Sequence, residues 1–362
     1  MTIAKITTHA LRIPYDVGGL KQEFLGRPRE FLEALYLRVE TTDGVVGWGE
    51  PFGINTWPAV KVVLDQFVGP YATGKDEDDI EGLTLDLKKR LHVYGRTGPM
   101  MYAISGLDIA LWDIAAKKEG VPLYQLLGGS KRTSVQAYAS LMRYGEPAAL
   151  ARNCERALTL GYRAVKLHET SVALTKVARD ALGSDTELTL DTNCAWTLEQ
   201  AIENAAALEP LELAWLEEPT WPPEDTAQLS ALRARTRIPL SAGENASTPW
   251  ELQQLAASGA VAIVQPSVIK IGGITEMRKL VDAAPEGVRV VPHAPYFGPG
   301  YLATLHLLAA MDRETPIERL FCDFEAHPLA QHIAVTSGRA EIPTGPGLGA
   351  DPDAGLLARF AA

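Results

Sequence analysis

Three segments between residues 188 and 245 fix the reading of the chain: Leu188-Thr189-Leu190-Asp191-Thr192-Asn193, Trp215-Leu216-Glu217-Glu218-Pro219 and Ser241-Ala242-Gly243-Glu244-Asn245. Each presents an acid after a short apolar run of strand length. Asp191, Glu217 and Glu244 stand 26 and 27 residues apart, about the span of one strand, one helix and two loops in a parallel α/β repeat. Three carboxylates are therefore expected on neighbouring strands at one end of a sheet. Like charges so placed repel unless a cation lies among them, and oxygen ligands without Cys or His favour Mg²⁺, with Mn²⁺ as the alternative, over zinc. Taken singly, each acid has a plainer reading as a helix N-cap or a solvated loop carboxylate.

The same period continues on both sides. Lys166 and His168 close Ala164-Val165-Lys166-Leu167-His168, Lys270 follows the strand at 262–265, His293 closes Val288-Arg289-Val290-Val291-Pro292-His293, and Glu318 lies in a last apolar run. Ionisable residues at one strand end after another are how active sites form at the C-terminal face of a TIM-type barrel. Strands at 135–141, 164–168 and 317–322 bracket the alternation, with helices at 147–160, 173–182, 197–207, 223–234, 248–257, after Gly272-Gly273, and at 301–311. A closed parallel barrel is the leading fold. An open, doubly wound sheet is the alternative, but it would not need polar residues at nearly every strand end.

Upstream, residues 3–13, 32–40 and 44–50 read as an antiparallel meander, with a polar insertion at 15–29 that carries Lys21, Arg27 and Arg29. The loop Pro51-Phe52-Gly53-Ile54-Asn55-Thr56-Trp57 follows, and then helical periodicity to about residue 127, ending in an amphipathic run at 101–118. The expected organisation is an α+β capping domain over residues 1–127, a barrel over 128–325 and a turn-rich C-terminal segment over 326–362. A net charge of −11 argues against a nucleic-acid or anionic-membrane partner. Cys154, Cys194 and Cys322 form neither a disulfide framework nor a zinc motif, and no run approaches ~18 apolar residues. A cytoplasmic protein without a membrane span is expected, as is a homo-oligomer.

The motifs Lys166-x-His168, Asp191-x-Asn193, Glu217-Glu218-Pro219, Gly243-Glu244-Asn245, Lys270-Ile271-Gly272-Gly273-Ile274-Thr275, His293, Ile317-Glu318-Arg319-Leu320 and Gly345-Pro346-Gly347-Leu348-Gly349 together resemble the enolase superfamily, and within it the mandelate racemase group. The resemblance covers nearly the whole chain. It implies an N-terminal capping domain, a (β/α)₇β TIM-like barrel and a C-terminal segment that packs back on the cap. It also implies that Asp191, Glu217 and Glu244 bind Mg²⁺, with a substrate carboxylate completing the coordination. Glu318 would donate from a protonated carboxyl, or position an amide or water, at the other carboxylate oxygen. Two features depart from the group's pattern. His168 stands where most relatives have a second Lys, and Ser267 stands where an Asp usually pairs with the seventh-strand His. Lys270 occupies the place from which a muconate-lactonising relative draws a catalytic Lys, or it only braces the carboxylates.

Removing a proton α to a carboxylate builds a second charge on that group, which a metal and Lys166 can absorb. The expected activity is dehydration of a sugar acid to a 2-keto-3-deoxy acid, with a racemase, epimerase or lactone cycloisomerase as the runner-up and a non-catalytic acid-binding barrel last. His168 is the favoured base and His293 the favoured acid. A small-molecule carboxylate would be held by Asn193, Lys270, Lys21, Asn55, Trp57 and Tyr296, the last two being aromatic residues in loops that can face the pocket.

Overall fold

The protein, as a computed structural model, is described at residues 1–19, 23–24 and 27–362. Strands β1 (Ile3–Asp16), β4 (Phe31–Thr41) and β5 (Val46–Gly49) form the antiparallel meander, and β2 (Glu23–Phe24) and β3 (Arg27–Pro28) pair as a small hairpin. The period-2 alternation of a strand sends β4 to two partners. Leu35, Leu37 and Val39 face the helices, whereas Ala34 and Tyr36 join Leu11 and Ile13 on the opposite face. The helices are α1 (Trp57–Val63), α2 (Gly69–Ala72), α3 (Ile80–Leu91) and α4 (Pro99–Lys118). Helix α4 lies so close to β5 that a Cβ on Gly49 would stand 1.9 Å from the Gly106 carbonyl oxygen. Glycine is the residue that permits this approach.

After α5 (Leu123–Leu126) come eight parallel strands: β6 (Ser134–Ser140), β7 (Ala164–Leu167), β8 (Glu187–Asp191), β9 (Trp215–Glu217), β10 (Leu240–Ala242), β11 (Ile263–Val264), β12 (Arg289–Val290) and β13 (Ile317–Leu320). Consecutive strands are neighbours from β6 to β12, and β13 pairs back onto β6 with Glu318 opposite Tyr138. At the seam between β12 and β13, Glu318 Oε2 accepts from the Ala294 amide at 3.0 Å. Seven helices alternate with these strands: α6 (Pro147–Thr159), α7 (Val172–Leu182), α8 (Leu198–Leu208), α9 (Thr226–Arg233), α10 (Pro249–Ala257), α11 (Gly273–Ala283) and α12 (Pro299–Ala310). The fold is the (β/α)₇β barrel with an N-terminal α+β cap.

Alternation also fills the barrel. Val165, Leu167, Leu190 and Leu216 point outward into the large core beneath the helices. Tyr138, Ala164, Trp215, Ile263 and Val291 pack inside, with the Tyr138 and Trp215 rings edge to face at 5.9 Å. This plug closes the lower barrel and leaves the next inward positions, including Lys166 and Glu217, at the open end. Beyond β13, β14 (Asp323–Phe324) pairs with β1, and β15 (Val335–Thr336) and β16 (Arg339–Glu341) form a hairpin whose second strand pairs with β6. Helix α13 (Ala354–Arg359) brings Leu357 and Phe360 onto the outer face of the cap sheet.

Buried polar groups orient the cap over the barrel. From α4, Ser105 Oγ accepts from the Gly272 amide at 2.8 Å and Asp108 Oδ1 from the Thr275 amide at 3.1 Å, satisfying the start of α11. From the loop after β5, Glu50 Oε2 accepts from the Gly300 amide at 2.9 Å at the start of α12.

Candidate active site

Asp191 and Glu217 stand directly opposite each other on β8 and β9, and Glu244 follows β10 across the Gly243 turn. One carboxylate oxygen from each lies within 4.8 Å of the other two. Asp191 and Glu217 are fully buried. Three carboxylates this close together, two of them out of water, repel one another and offer only hard oxygen ligands, which fits a divalent cation such as Mg²⁺. Lys166, fully buried, reaches Glu217 Oε1 at 2.6 Å, Asp191 Oδ2 at 2.9 Å and Glu318 Oε1 at 3.6 Å. Burial alone would lower its pKa, but the charges of Asp191, Glu217 and Glu318 hold it well above the usual lysine value. It is a fixed cation.

The two histidines flank this cluster. His168 Nε2 lies 3.5 Å from Asp191 Oδ2, and His293 Nε2 lies 3.0 Å from Glu244 Oε2. His168 Nδ1 is 2.6 Å from the Leu141 carbonyl oxygen. A carbonyl only accepts, so Nδ1 carries the hydrogen and Nε2 presents its lone pair toward the site. Burial, aided by Lys166 and opposed by Asp191, lowers the His168 pKa, which keeps the ring neutral. Ser267 Oγ lies 2.9 Å from the His293 carbonyl oxygen and 2.7 Å from His293 Nδ1. The single hydroxyl hydrogen goes to the carbonyl, so the serine accepts from Nδ1–H and fixes the ring without supplying charge.

Glu318 lies on β13 and is buried beside Lys166. It accepts from Ser140 Oγ at 2.7 Å and from the Ala294 amide at 3.0 Å. Burial would raise its pKa, but Lys166, His293 and Ser140 bring it below the ordinary glutamate value. That direction favours the ionised form, which accepts from both donors.

A cavity of about 830 Å³ opens above these residues and is lined by His168, Asn193, Glu244, Lys270, His293 and Glu318 from the barrel and by Asn55 and Arg29 from the cap. Lys270 Nζ donates to the Glu244 carbonyl oxygen at 2.8 Å and lies 4.4 Å from the centre of the Phe52 ring. The backbone is left-handed at Asn55, Asn193 and Glu218, with φ of 58°, 48° and 40°. Such φ values in non-glycine residues are uncommon and concentrate at functional sites.

Two expected residues do not reach the cavity. Trp57 begins α1 and packs on the cap core. Tyr296 is buried, and its hydroxyl is 3.2 Å from Thr304 Oγ1, inside the joint between cap and barrel. Lys21 and the side chain of Arg27 lie outside the described residues. Sequence reasoning missed Arg143, which lines the cavity, and Glu218, whose Oε2 accepts from Asn245 Nδ2 at 2.7 Å. Burial, with Glu244 and Asp191 beside it, raises the Glu218 pKa to about 8. The signal for Arg143 was present: it lies 23 residues before Lys166 and so continues the period one step upstream.

A barrel with a carboxylate triad, a buried lysine and two flanking histidines at its C-terminal end, under an α+β cap, defines a class of metal-assisted acid–base enzymes. The chain belongs to the mandelate racemase/muconate lactonizing enzyme family: the N-terminal domain model matches residues 32–128, and the enolase C-terminal domain-like model matches residues 149–356. It is 33% identical to an arabinonate dehydratase of Saccharolobus solfataricus over 88% of each chain. It is 32% identical to a D-galactarolactone cycloisomerase of Agrobacterium fabrum over 99% of each. Among solved structures, a racemase from Streptomyces coelicolor A3(2) with bound magnesium has a TM-score of 0.87 at 28% identity, covering 99% of this chain and 100% of that one. No helix among the described residues is long and apolar enough to cross a membrane.

Proposed function

We propose that the protein dehydrates a sugar acid to a 2-keto-3-deoxy acid by removing the proton α to the carboxylate. The observation that carries this is the placement of His168 and His293 beside different members of the triad, with Lys166 between the carboxylates. Asp191, Glu217 and Glu244 would hold Mg²⁺, which when bound supplies positive charge to the substrate carboxylate as its α-carbon loses a proton. Lys166 adds a second fixed charge in a buried setting, where it acts more strongly than in water. His168, neutral with Nε2 open, takes the α-proton. His293, held through Nδ1 by Ser267, delivers a proton to the departing β-hydroxyl. Glu318 positions the Ala294 amide and Ser140, and Lys270 braces the loop after β10 through the Glu244 carbonyl.

Support comes from relatives named arabinonate dehydratase and D-galactonate dehydratase. A second reading, cycloisomerisation, is favoured by relatives named 3,6-anhydro-alpha-L-galactonate cycloisomerase and D-galactarolactone cycloisomerase that match over 99% of both chains. It shares the α-proton step and differs in the bond broken at the β-carbon, which is to a ring oxygen that stays in the molecule rather than to a hydroxyl that leaves as water. Incubating a panel of sugar acids and their lactones with the protein and Mg²⁺, then trapping product with semicarbazide, separates the two. A trapped keto acid is expected from an open-chain acid. Ring opening of a lactone, with no keto acid from any open-chain acid, would replace dehydration by cycloisomerisation.

A further inference from the structure

The sequence reading gave Arg143 no role, and the geometry points to one. It follows β6, in the first loop at the open end of the barrel, and its side chain lines the cavity. Its Nε donates to the His168 carbonyl oxygen at 2.5 Å, and its Nη2 lies 3.4 Å from Asn193 Oδ1. The head is thus tied to the ends of the second and third barrel strands, on the His168 side of the triad. Arg29 lines the same cavity from the cap.

The charged groups around the cavity divide into two sets. Glu244, Glu318 and the two histidines, over the buried Lys166, surround the point where the reacting carboxylate belongs. Lys270 is engaged there too, by the Glu244 carbonyl and the Phe52 ring. Among the described lining residues, Arg143, Arg29 and Glu23 make up the rest, so that two guanidiniums stand against one carboxylate on that outer wall. A neutral hydroxylated tail needs hydrogen-bond partners of either kind, whereas a cationic wall favours an anion, and a guanidinium matches a carboxylate in shape as well as in charge.

We propose that Arg143, with Arg29 facing it from the cap, receives a second carboxylate at the far end of the substrate, so that the preferred substrates are dicarboxylic sugar acids rather than monocarboxylic ones. This rests on the α-proton chemistry proposed above and adds the substrate class. Arg143 is a specificity residue: it touches the end of the substrate away from the reacting carbon. Its bond to the His168 carbonyl couples occupation of the far end to the strand end that carries the base.

The test compares a sugar monoacid with the diacid of the same carbon skeleton, using Mg²⁺-loaded wild type, Arg143→Gln and Arg143→Lys. Two readouts are taken: keto-acid formation and deuterium uptake at the α-carbon in D₂O. Wild type is expected to favour the diacid in kcat/KM. In Arg143→Gln the diacid-to-monoacid ratio should fall by roughly 30-fold, within the range for a charge-assisted bond, with the loss in KM. Arg143→Lys should recover part of the ratio. Equal losses for both acids, carried by kcat, would mark a residue that only holds the His168 backbone and would overturn the assignment. So would a wild type that prefers the monoacid. If wild type gave neither keto acid nor deuterium uptake with any acid, the proposed chemistry would fail and the assignment with it. An Arg143→Gln protein that did not fold would leave Arg143→Lys and the wild-type preference to decide.

Discussion

At the scale of single residues, the two histidines differ in what holds them. His168 Nδ1 donates to a backbone carbonyl, which leaves Nε2 open, while His293 is held by a neutral serine. His168→Asn should therefore abolish deuterium exchange at the α-carbon, whereas His293→Asn should keep exchange and lose keto-acid formation. Exchange that survives in the first variant and vanishes in the second would reverse the roles. Because burial lowers the His168 pKa, the acid limb of kcat/KM should lie below ~6.5, the ordinary histidine value. Asp191→Ala should cost at least ~10³-fold in turnover, the scale for removing a main electrostatic stabiliser. Full activity in excess chelator would contradict it. These residues were legible because each ended an apolar run on a common period. Trp57 and Tyr296 were misplaced because an aromatic residue in a loop serves a pocket or a packed joint equally well, and only three-dimensional neighbours distinguish them. Glu318 was located in the sequence but not its partners, Ser140, the Ala294 amide and Lys166, which reach it from distant parts of the chain.

At the scale of elements, the barrel strands were readable from period and polarity, whereas the joints between cap and barrel were not. Ser105 and Asp108 sit in α4, a helix buried on nearly every side rather than along one stripe, and in the sequence they read as ordinary polar interruptions, and their partners, Gly272 and Thr275, lie more than 160 residues away. Glu50 is the clearest case. It closes the third strand of the meander in sequence, and in space it is buried against the start of α12. Burial, opposed by the Gly300 and Gly298 amides, raises its pKa to about 8. An unfolded glutamate ionises near ~4.3. Between these values the folded state holds the proton that the unfolded state has lost, so this group's contribution to stability is full below about 4.3 and falls as pH rises through about 8. Glu50→Gln removes that titration and keeps the acceptor for Gly300. Its melting temperature should gain on wild type as pH rises from 5 to 9. A constant difference across that range would show that Glu50 does not titrate in it.

At the scale of the molecule, the chain is drawn together at one buried carboxylate. Asp113, in the middle of α4, accepts from the Trp48 amide on β5 at 2.8 Å and from the Leu348 amide of the C-terminal segment at 2.7 Å. It also pairs with Lys117 at 2.8 Å, whose ammonium in turn reaches the Val46 carbonyl and Asp351. Gly347 is bound into the same place, since a Cβ there would stand 2.1 Å from Asp113 Oδ1. Burial raises the Asp113 pKa against the pull of Lys117 and the two amides, so the carboxylate depends on these partners to stay charged. Asp113→Ala would strand two buried amides and leave the Lys117 charge with less compensation. Removing one partner of a buried ion pair costs about 3–5 kcal/mol. The loss should appear in denaturant unfolding as a lower midpoint. Combining it with Lys117→Met, which removes the uncompensated charge, should give a loss smaller than the sum of the two single changes, as expected for residues in contact. Strict additivity would mean that Asp113 acts through the amides alone. Because the same residue ties the C-terminal segment to the cap sheet, the Asp113→Ala protein should also be cleaved by protease in the region 343–353 sooner than wild type, under conditions where both remain folded.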